Sequence, residues 1–225
     1  MKSTIHQKKK IDVFIVDPQP VFTAGLELVI SRSSSCRVNG TSLYYENSIE
    51  AVKSAEPHVL VMDIFPGTAK GIDFIIEVLK QNPGIKVLVL SMLDENIYAE
   101  RVLKAGASGY IMKTESPETI ILSIERIFRN ELCLSENISS MILQKYVGGV
   151  ENIELDPVRL LSDRELEIYS LTGKGLTSRE ISSLLEISVN TVDNHKSGIK
   201  YKLGLKNSIE LIQSSVLWSR DKGIL

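Results

Sequence analysis

Val59-Leu60-Val61-Met62-Asp63 is the stretch that decides the fold, because four apolar residues run directly into an acid. An apolar run without alternation is typical of a strand buried on both faces of a sheet. Comparable short runs recur at 13–16, 86–91 and 109–112, with a weaker one at 36–40. The stretches between them carry apolar residues three and four positions apart, as amphipathic helices do. We therefore predict an α/β fold, a doubly wound five-stranded parallel sheet with helices on both faces.

A second, all-α domain is predicted beyond residue 157. Residues 147–157 contain two adjacent glycines, three acids and a proline, which is typical of a linker. After them, Ser162 with Glu165 and Thr177 with Glu180 have the spacing of capping boxes that begin helices. The predicted four helices span 163–171, 178–185, 189–203 and 208–218. The predicted organisation is a flexible tail at 1–10, the α/β domain at 11–130, a helix and linker at 131–157 and the helical domain at 158–225.

Composition excludes several classes of protein. With 43% hydrophobic and 24% charged residues among 225, the chain can bury two cores and is not disordered as a whole. The net charge of -2 hides a basic region, since four lysines fall between 196 and 206 without an intervening acid. Two distant cysteines, Cys36 and Cys133, indicate neither a disulfide framework nor a zinc site. No apolar run approaches the length of a membrane span, so we expect a cytoplasmic protein without membrane contact.

Four polar residues follow or end the predicted strands, namely Asp17, Asp63, Ser91 and Lys113. The carboxyl ends of parallel strands lie at one edge of a sheet, where α/β proteins bind their ligands. Two carboxylates, a hydroxyl and an ammonium are suited to hold a divalent cation and a phosphoryl group on one acid. Polar residues also end strands for purely structural reasons, but four at one edge favour a site.

These segments resemble the receiver domain of bacterial two-component response regulators. The matching segments are Ile15 to Pro20, Val61-Met62-Asp63 with Pro66, Gly67 and Gly71, Leu90-Ser91, and Gly106 to Lys113. The resemblance implies that Asp63 takes a phosphoryl group from a partner histidine kinase and that Lys113 steadies the phosphoryl oxygens. It also implies that Ser91 moves to hydrogen-bond them and that Tyr110 reorients with it.

Pro18 departs from the family pattern, which has a second acid that ligates Mg²⁺ at this position. Without that oxygen ligand, Asp17 and Asp63 with backbone carbonyls and water would form only a weak Mg²⁺ site. Pro66 also follows Asp63 one position earlier than is usual, while Gly71 keeps its spacing. Two alternatives stay open: a receiver that is phosphorylated slowly, and one that works unphosphorylated through dimerisation or another ligand.

The helical domain resembles the LuxR-type helix-turn-helix of NarL/FixJ regulators. The match runs from Leu161 to Ile212 and includes Thr191-Val192, His195, Ile199 and Lys202-Leu203-Gly204. The resemblance implies binding to double-stranded DNA, with 189–203 as the recognition helix, and the leading hypothesis adds that the protein binds as a homodimer to paired half-sites. RNA polymerase is a further partner that such a factor can have.

Helical spacing sorts the faces of the recognition helix. Val192, Ile199 and Leu203 form the buried stripe, so the opposite face should meet DNA. The residues predicted there are Asn190, Thr191, Asp193, Asn194, Lys196, Ser197, Lys200 and Lys202. The lysines suit phosphates, and the asparagines suit base edges. Asp193 would repel phosphate unless it bonds a cytosine amino group or caps locally, while Gly198 either allows close approach to the DNA backbone or softens the helix.

The leading hypothesis is a transcription regulator rather than an enzyme. A magnesium-dependent phosphotransfer or phosphatase domain with Asp63 as nucleophile is the enzymatic rival, but no separate general acid or base accompanies Asp63, and a catalytic domain has no need of a helix-turn-helix. The third hypothesis is a regulator that acts through protein interactions and has lost DNA binding. Asp193 and Gly198 would then be substitutions that accumulated after the loss of DNA binding. Salt-dependent binding to DNA would separate these hypotheses.

Overall fold

The computed structural model describes residues 10–64, 68–147 and 156–222. The chain forms two compact units whose main boundary falls between residues 148 and 149. Outside the described residues lie 1–9 of the expected tail at 1–10, 148–155 of the expected linker at 147–157, and Pro66 with its altered spacing. Among the described residues, no helix is long and apolar enough to cross a membrane.

The first unit is built on one parallel sheet in the order β2-β1-β3-β4-β5, which confirms the predicted doubly wound fold. Its strands are β1 (Ile11–Val16), β2 (Cys36–Ser42), β3 (Val59–Met62), β4 (Lys86–Ser91) and β5 (Gly109–Met112). Its helices are α1 (Pro20–Ser31), α2 (Ser48–Ala55), α3 (Thr68–Gln81), α4 (Glu95–Lys104), α5 (Pro117–Phe128) and α6 (Glu136–Val147). Strand β2 runs two residues beyond the predicted end.

Helices α1 and α5 cover one face of the sheet. Ile15 of β1 and Leu88 of β4 are fully buried there beneath Ile30 of α1 and Ile124 of α5. Burying each of these side chains contributes about 1.5–3 kcal/mol. The apolar stripes of α1 and α5 therefore hold the strands of the sheet in place, and with them the polar residues at the strand ends.

Helix α6 packs on α4 through polar contacts as well as through buried Ile138. Asn137 Nδ2 donates to Asn96 Oδ1 at 3.0 Å, and Lys145 Nζ contacts Glu100 Oε1 at 2.6 Å. Burial raises the pKa of Glu100, but hydrogen bonds and charges from the lysines at both 145 and 104 outweigh it and leave the pKa below its ordinary value. The helix that precedes the linker is thus held to α4.

The outer edge of β5 is covered by the segment around Cys133. Tyr110 N donates to Cys133 O at 2.9 Å, and Cys133 N donates to Ser108 O at 3.1 Å. Gly109 makes this close approach possible, because a β-carbon on it would lie 2.6 Å from Cys133 O. The segment therefore occupies backbone groups that an edge strand would otherwise expose.

The second unit contains a short 3-10 helix (Pro157–Leu160) followed by four α-helices, as predicted. These are α7 (Asp163–Gly173), α8 (Ser178–Leu185), α9 (Val189–Lys202) and α10 (Ser208–Asp221). Both capping boxes are confirmed, with Ser162 and Thr177 as the N-cap residues. Expected helix starts were correct, whereas α7 and α10 end two to three residues later than predicted.

Candidate functional site

The sheet brings Asp17, Asp63, Ser91 and Lys113 together at its carboxyl edge. The backbone continues the ladder past the strand ends, since Asp63 N donates to Val16 O at 3.0 Å and Lys113 N donates to Ser91 O at 2.9 Å. These bonds hold the side chains of neighbouring strands side by side. We call this group of four side chains the acid pocket.

Lys113 is the centre of the acid pocket. Its Nζ lies 2.6 Å from Asp17 Oδ2 and 2.7 Å from Asp63 Oδ2, and the three side chains are 2–3% exposed. The same ammonium donates to Gln19 Oε1 at 3.0 Å and lies 4.2 Å from the ring centroid of Phe22. One cation therefore serves two buried carboxylates and leaves one net negative charge among these three side chains.

The remaining carboxylate oxygens of the acid pocket also have protein donors. Ser91 Oγ donates to Asp63 Oδ1 at 2.5 Å, and Gln19 N donates to Asp17 Oδ1 at 2.8 Å. Burial raises the pKa of Asp17, although the hydrogen bonds from Lys113 and Gln19 oppose that shift. Each of the four oxygens thus accepts a hydrogen bond or ion pair from the chain itself.

Tyr110 lies fully inside the first unit, behind the acid pocket. Its hydroxyl donates to Leu93 O at 2.6 Å, and burial raises its pKa well above the ordinary value. Ser91, which was predicted to move together with Tyr110, is also fully buried and already bonded to Asp63. In this conformation both residues point into the domain.

The acid pocket fits Mg²⁺ poorly. Magnesium prefers near-octahedral oxygen coordination, whereas Asp17 and Asp63 are the carboxylates present and both already contact Lys113. Pro18 adds no side-chain ligand. The described part of the chain contains no group of three or more histidine, cysteine or acidic residues placed to hold a metal ion.

In the second unit, α9 presents an exposed stripe of Asn190, Asn194, Ser197 and Tyr201. Their spacing of four, three and four residues puts them on one helical face. The first three were predicted to face DNA. Tyr201 was missed, although the same spacing identifies it. Thr191 is half-buried and paired with Ser188 at the helix start, and Lys200 is half-buried.

Asp193 and Lys196 are joined through Ser178, the first residue of α8. Ser178 Oγ donates to Asp193 Oδ1 at 2.8 Å and accepts from Lys196 Nζ at 3.0 Å. Burial lowers the pKa of Lys196. The acid that was expected to repel phosphate therefore has a partner within the unit, and the lysine contacts α8 instead of extending freely into solvent.

Lys202 and Gly198 both face Glu165, the capping-box acid of α7. Lys202 Nζ lies 2.6 Å from Glu165 Oε2, which also accepts from Ser162 N at 2.7 Å. A β-carbon on Gly198 would lie 2.9 Å from Glu165 Oε1, so a larger residue there requires the end of the Glu165 side chain to shift. Close contact with Glu165 adds a third role for the glycine to the two expected from the sequence, which stay predictions, as does the assignment of Lys202 to DNA.

A doubly wound domain with an acid pocket, joined to a helical unit with an exposed recognition-type helix, defines a DNA-binding response regulator. Two family models match the chain, the response regulator receiver domain at residues 13–125 and the bacterial regulatory proteins of the luxR family at 159–215. The chain belongs to the response regulators that combine these two domains, and members of this class regulate transcription.

Curated relatives match over nearly the whole chain. The oxygen regulatory protein NreC of Staphylococcus carnosus is 31% identical over 205 residues, which are 89% of this chain and 94% of that protein. NreC of Staphylococcus epidermidis is 30% identical over 206 residues, again 89% and 94%. These lengths place both domains within the similarity.

Solved structures match in fold. RcsB from Salmonella enterica serovar Typhimurium, bound to the promoter P1flhDC, has a TM-score of 0.66 at 23% identity and covers 92% of this chain and 98% of its own. A second RcsB structure, from Salmonella typhimurium, has a TM-score of 0.69 at 22% identity with the same coverage. Both agree with the architecture described above.

Proposed function

We propose that Asp63 is the phosphoacceptor of this transcription regulator and that its state controls DNA binding by α9. The supporting observation is that Asp63 alone in the acid pocket contacts both Lys113 and Ser91, at 2.7 and 2.5 Å. In the transfer, an Asp63 oxygen forms a bond to phosphorus as the bond from phosphorus to the donor histidine nitrogen breaks. Lys113 and Ser91 then bind the transferred oxygens.

Magnesium, the general cofactor of receiver phosphorylation, is proposed to bind weakly at Asp17 and Asp63. Repulsion between an incoming phosphoryl group and the acid pocket must be screened by cations, and Lys113 is already shared by two carboxylates. Phosphorylation is therefore expected to be slow. The site residues for this role are Asp63 as acceptor and Ser91, Tyr110 and Lys113 as the switch.

A second mode of action is regulation without phosphorylation. It is favoured by the inward positions of Ser91 and Tyr110, because Ser91 is bonded to Asp63 and Tyr110 is bonded to Leu93, so the chain itself supplies the partners of both residues. In a receiver whose switch residues already point into the domain, the conformation that is able to dimerise can be populated without phosphorylation. Another ligand or the concentration of the protein would then set its activity.

The proposed organisation keeps the tail at 1–10, the receiver domain at 11–130, the helix and linker at 131–157 and the DNA-binding domain at 158–225. The proposed partners are double-stranded DNA, a histidine kinase, a second copy of the chain and RNA polymerase, in the cytoplasm. DNA contact is assigned to α9, with exposed Asn190 and Asn194 at base edges and half-buried Lys200, beside that face, at phosphate.

The test combines DNA binding with an acceptor variant. Wild type and Asp63→Ala are titrated with chromosomal fragments at two salt concentrations, with and without acetyl phosphate. Acetyl phosphate should tighten binding by the wild type alone if Asp63 is the acceptor. Equal binding in the four samples at each salt concentration would instead support regulation without phosphorylation, and salt-independent retention of DNA would contradict DNA binding as a function.

A further inference from the structure

Tyr201 is the most exposed large hydrophobic side chain of the recognition helix. It is 90% exposed, although it lies only two residues after buried Ile199. A free aromatic ring on a domain surface forgoes the stabilisation that burial would give it. Its place on α9, the helix assigned to DNA, indicates what it can contact.

Tyr201 shares its helical face with the residues assigned to base edges. Asn194 and Tyr201 are seven residues apart, which is nearly two full turns, so their side chains project in almost the same direction. At 1.5 Å per residue they are separated by about 10 Å along the helix axis. If Asn194 contacts a base edge, the position of the Tyr201 side chain relative to the DNA is therefore limited as well.

That separation nearly equals the width of the major groove, about 12 Å. Recognition helices contact bases with their amino-terminal residues. If Asn190 and Asn194 lie over base edges, Tyr201 reaches the wall of the groove, where the phosphates are. Lys200, the neighbouring residue, brings positive charge to the same end of the helix.

We propose that the Tyr201 hydroxyl donates a hydrogen bond to a DNA phosphate oxygen and thereby fixes how far α9 enters the major groove. Tyrosine hydroxyls are among the ordinary donors to DNA phosphates. A neutral donor displaces no counterion, so its loss weakens binding without changing the salt dependence. This signature distinguishes Tyr201 from any lysine contact. The proposal rests on DNA binding by α9.

The experiment uses the full chain and two duplexes, one selected by the wild type from chromosomal fragments and one of unrelated sequence. Binding is measured from 50 to 300 mM salt for wild type, Tyr201→Phe, Tyr201→Lys and Lys200→Ala. Tyr201→Phe should lose about tenfold in affinity on both duplexes, as expected for a hydrogen bond to a charged group, with an unchanged slope of log affinity against log salt. Tyr201→Lys should recover affinity and steepen that slope by about one.

Three outcomes would overturn the proposal. Wild-type affinity in Tyr201→Phe would remove the hydroxyl from the interface. A loss confined to the selected duplex would make Tyr201 a contact to bases, and a loss that disappears when the dimer is saturated would make it a contact between subunits. Failure of the wild type to bind either duplex would overturn DNA binding by α9 itself. This result distinguishes failure of the proposed function from failure of the Tyr201 contact alone. Because Tyr201 is exposed, circular dichroism should show all variants folded.

Discussion

Gly198 of α9 and Glu165 of α7 approach each other so closely that any side chain on Gly198 would press on the Glu165 carboxylate. That carboxylate closes the capping box at Ser162 and pairs with Lys202. Burial raises the pKa of Glu165, but Lys202 and Ser162 outweigh this and leave it lowered. One acid thus joins the start of α7 to the recognition helix.

Replacing Gly198 by alanine should give little of the usual gain in helix stability. Alanine is favoured over glycine in a helix by about 1 kcal/mol, but here it must displace Glu165. In a Glu165→Ala background the displacement is absent, so Gly198→Ala should recover that gain. Urea unfolding of a 158–225 fragment measures this cycle, and a single cooperative transition would also establish that the unit folds alone. Equal effects in both backgrounds would contradict the contact.

Pro18→Asp should raise both Mg²⁺ affinity and the rate at which a small phosphodonor labels the protein. The added carboxylate supplies the oxygen ligand that Asp17 and Asp63 lack, and it allows a cation to screen the incoming charge. A phosphate-affinity gel and a magnesium titration of wild type and Pro18→Asp measure the two effects. Asp63→Ala in the same gel should show no label.

The reading of Pro18 also predicts that basal DNA binding largely survives in Asp63→Ala. A regulator that is phosphorylated slowly must dimerise adequately without the phosphoryl group. Rapid labelling of the wild type with Mg²⁺, together with loss of DNA binding in Asp63→Ala, would show an ordinary phosphorylation switch and refute this reading.

Replacing Lys200 by alanine should mainly affect DNA binding, whereas replacing Lys202 by alanine should mainly affect the stability of the fold. Lys200→Ala should weaken binding to all sequences alike and reduce the salt slope by about one, as loss of one phosphate contact does. Lys202→Ala removes the ion pair with Glu165, so it should lower the unfolding temperature with a smaller change in slope. Salt-dependent DNA titrations and thermal melts of both variants make the comparison. An altered sequence preference in Lys200→Ala with an intact slope would contradict the phosphate assignment.

Helix α10 should contribute to dimerisation on DNA. Ile209, Ile212 and Val216 recur at three- and four-residue spacing and remain exposed. Ile212→Glu should therefore weaken the dimer without unfolding the domain, whereas Leu217→Glu, which lies off this stripe, should have less effect. Sedimentation with DNA present measures both. In the dimer, the recognition helices would lie about 34 Å apart, and a wild-type monomer on DNA would count against the interface.

Glu100→Gln should loosen α6 from α4. Partly exposed ion pairs contribute up to about 1 kcal/mol, so amide exchange in residues 136–147 should quicken about two- to fivefold, whereas Glu77→Gln on α3 should leave it unchanged. The pKa of Glu100 is below its ordinary value of 4.5, so its contribution is complete above that pH. It is lost as pH falls through the lowered pKa. Unchanged amide exchange in Glu100→Gln would contradict this prediction and would mean that burial of Ile138, rather than the ion pair, holds α6 in place.

Much of the fold followed from local pattern, and the exceptions have physical reasons. Buried strands such as β3 were found because both faces are apolar, whereas β2 was underestimated because Arg37, Asn39 and Thr41 of this edge strand face solvent. Helix starts were predicted well because their caps are local in sequence. The end of α8 was also predicted correctly and that of α9 to within one residue, whereas α7 and α10 run on through residues that pack in the domain, including buried Thr172 and Ser219.

For the candidate site, the strand rule brought the acid pocket together correctly in space, but it did not predict that Lys113 bridges both carboxylates. Periodicity on α9 identified the side opposite the core. It could not identify the helices beside α9, and those supply Ser178 to Lys196 and Glu165 to Lys202. Such partners come from 18 and 37 residues away, and no local spacing encodes them.

The segment at Cys133 that lies along β5 also bears on which surfaces of this protein are open to other chains. Within the described receiver unit β2 is the other border strand of the sheet, and it carries an arginine and an asparagine. Charged and polar edges discourage strand addition and the fibrous aggregation that follows from it. The sheet borders are thereby poorly suited to self-association, which leaves helical surfaces such as the exposed stripe of α10 for any contact between copies of the chain.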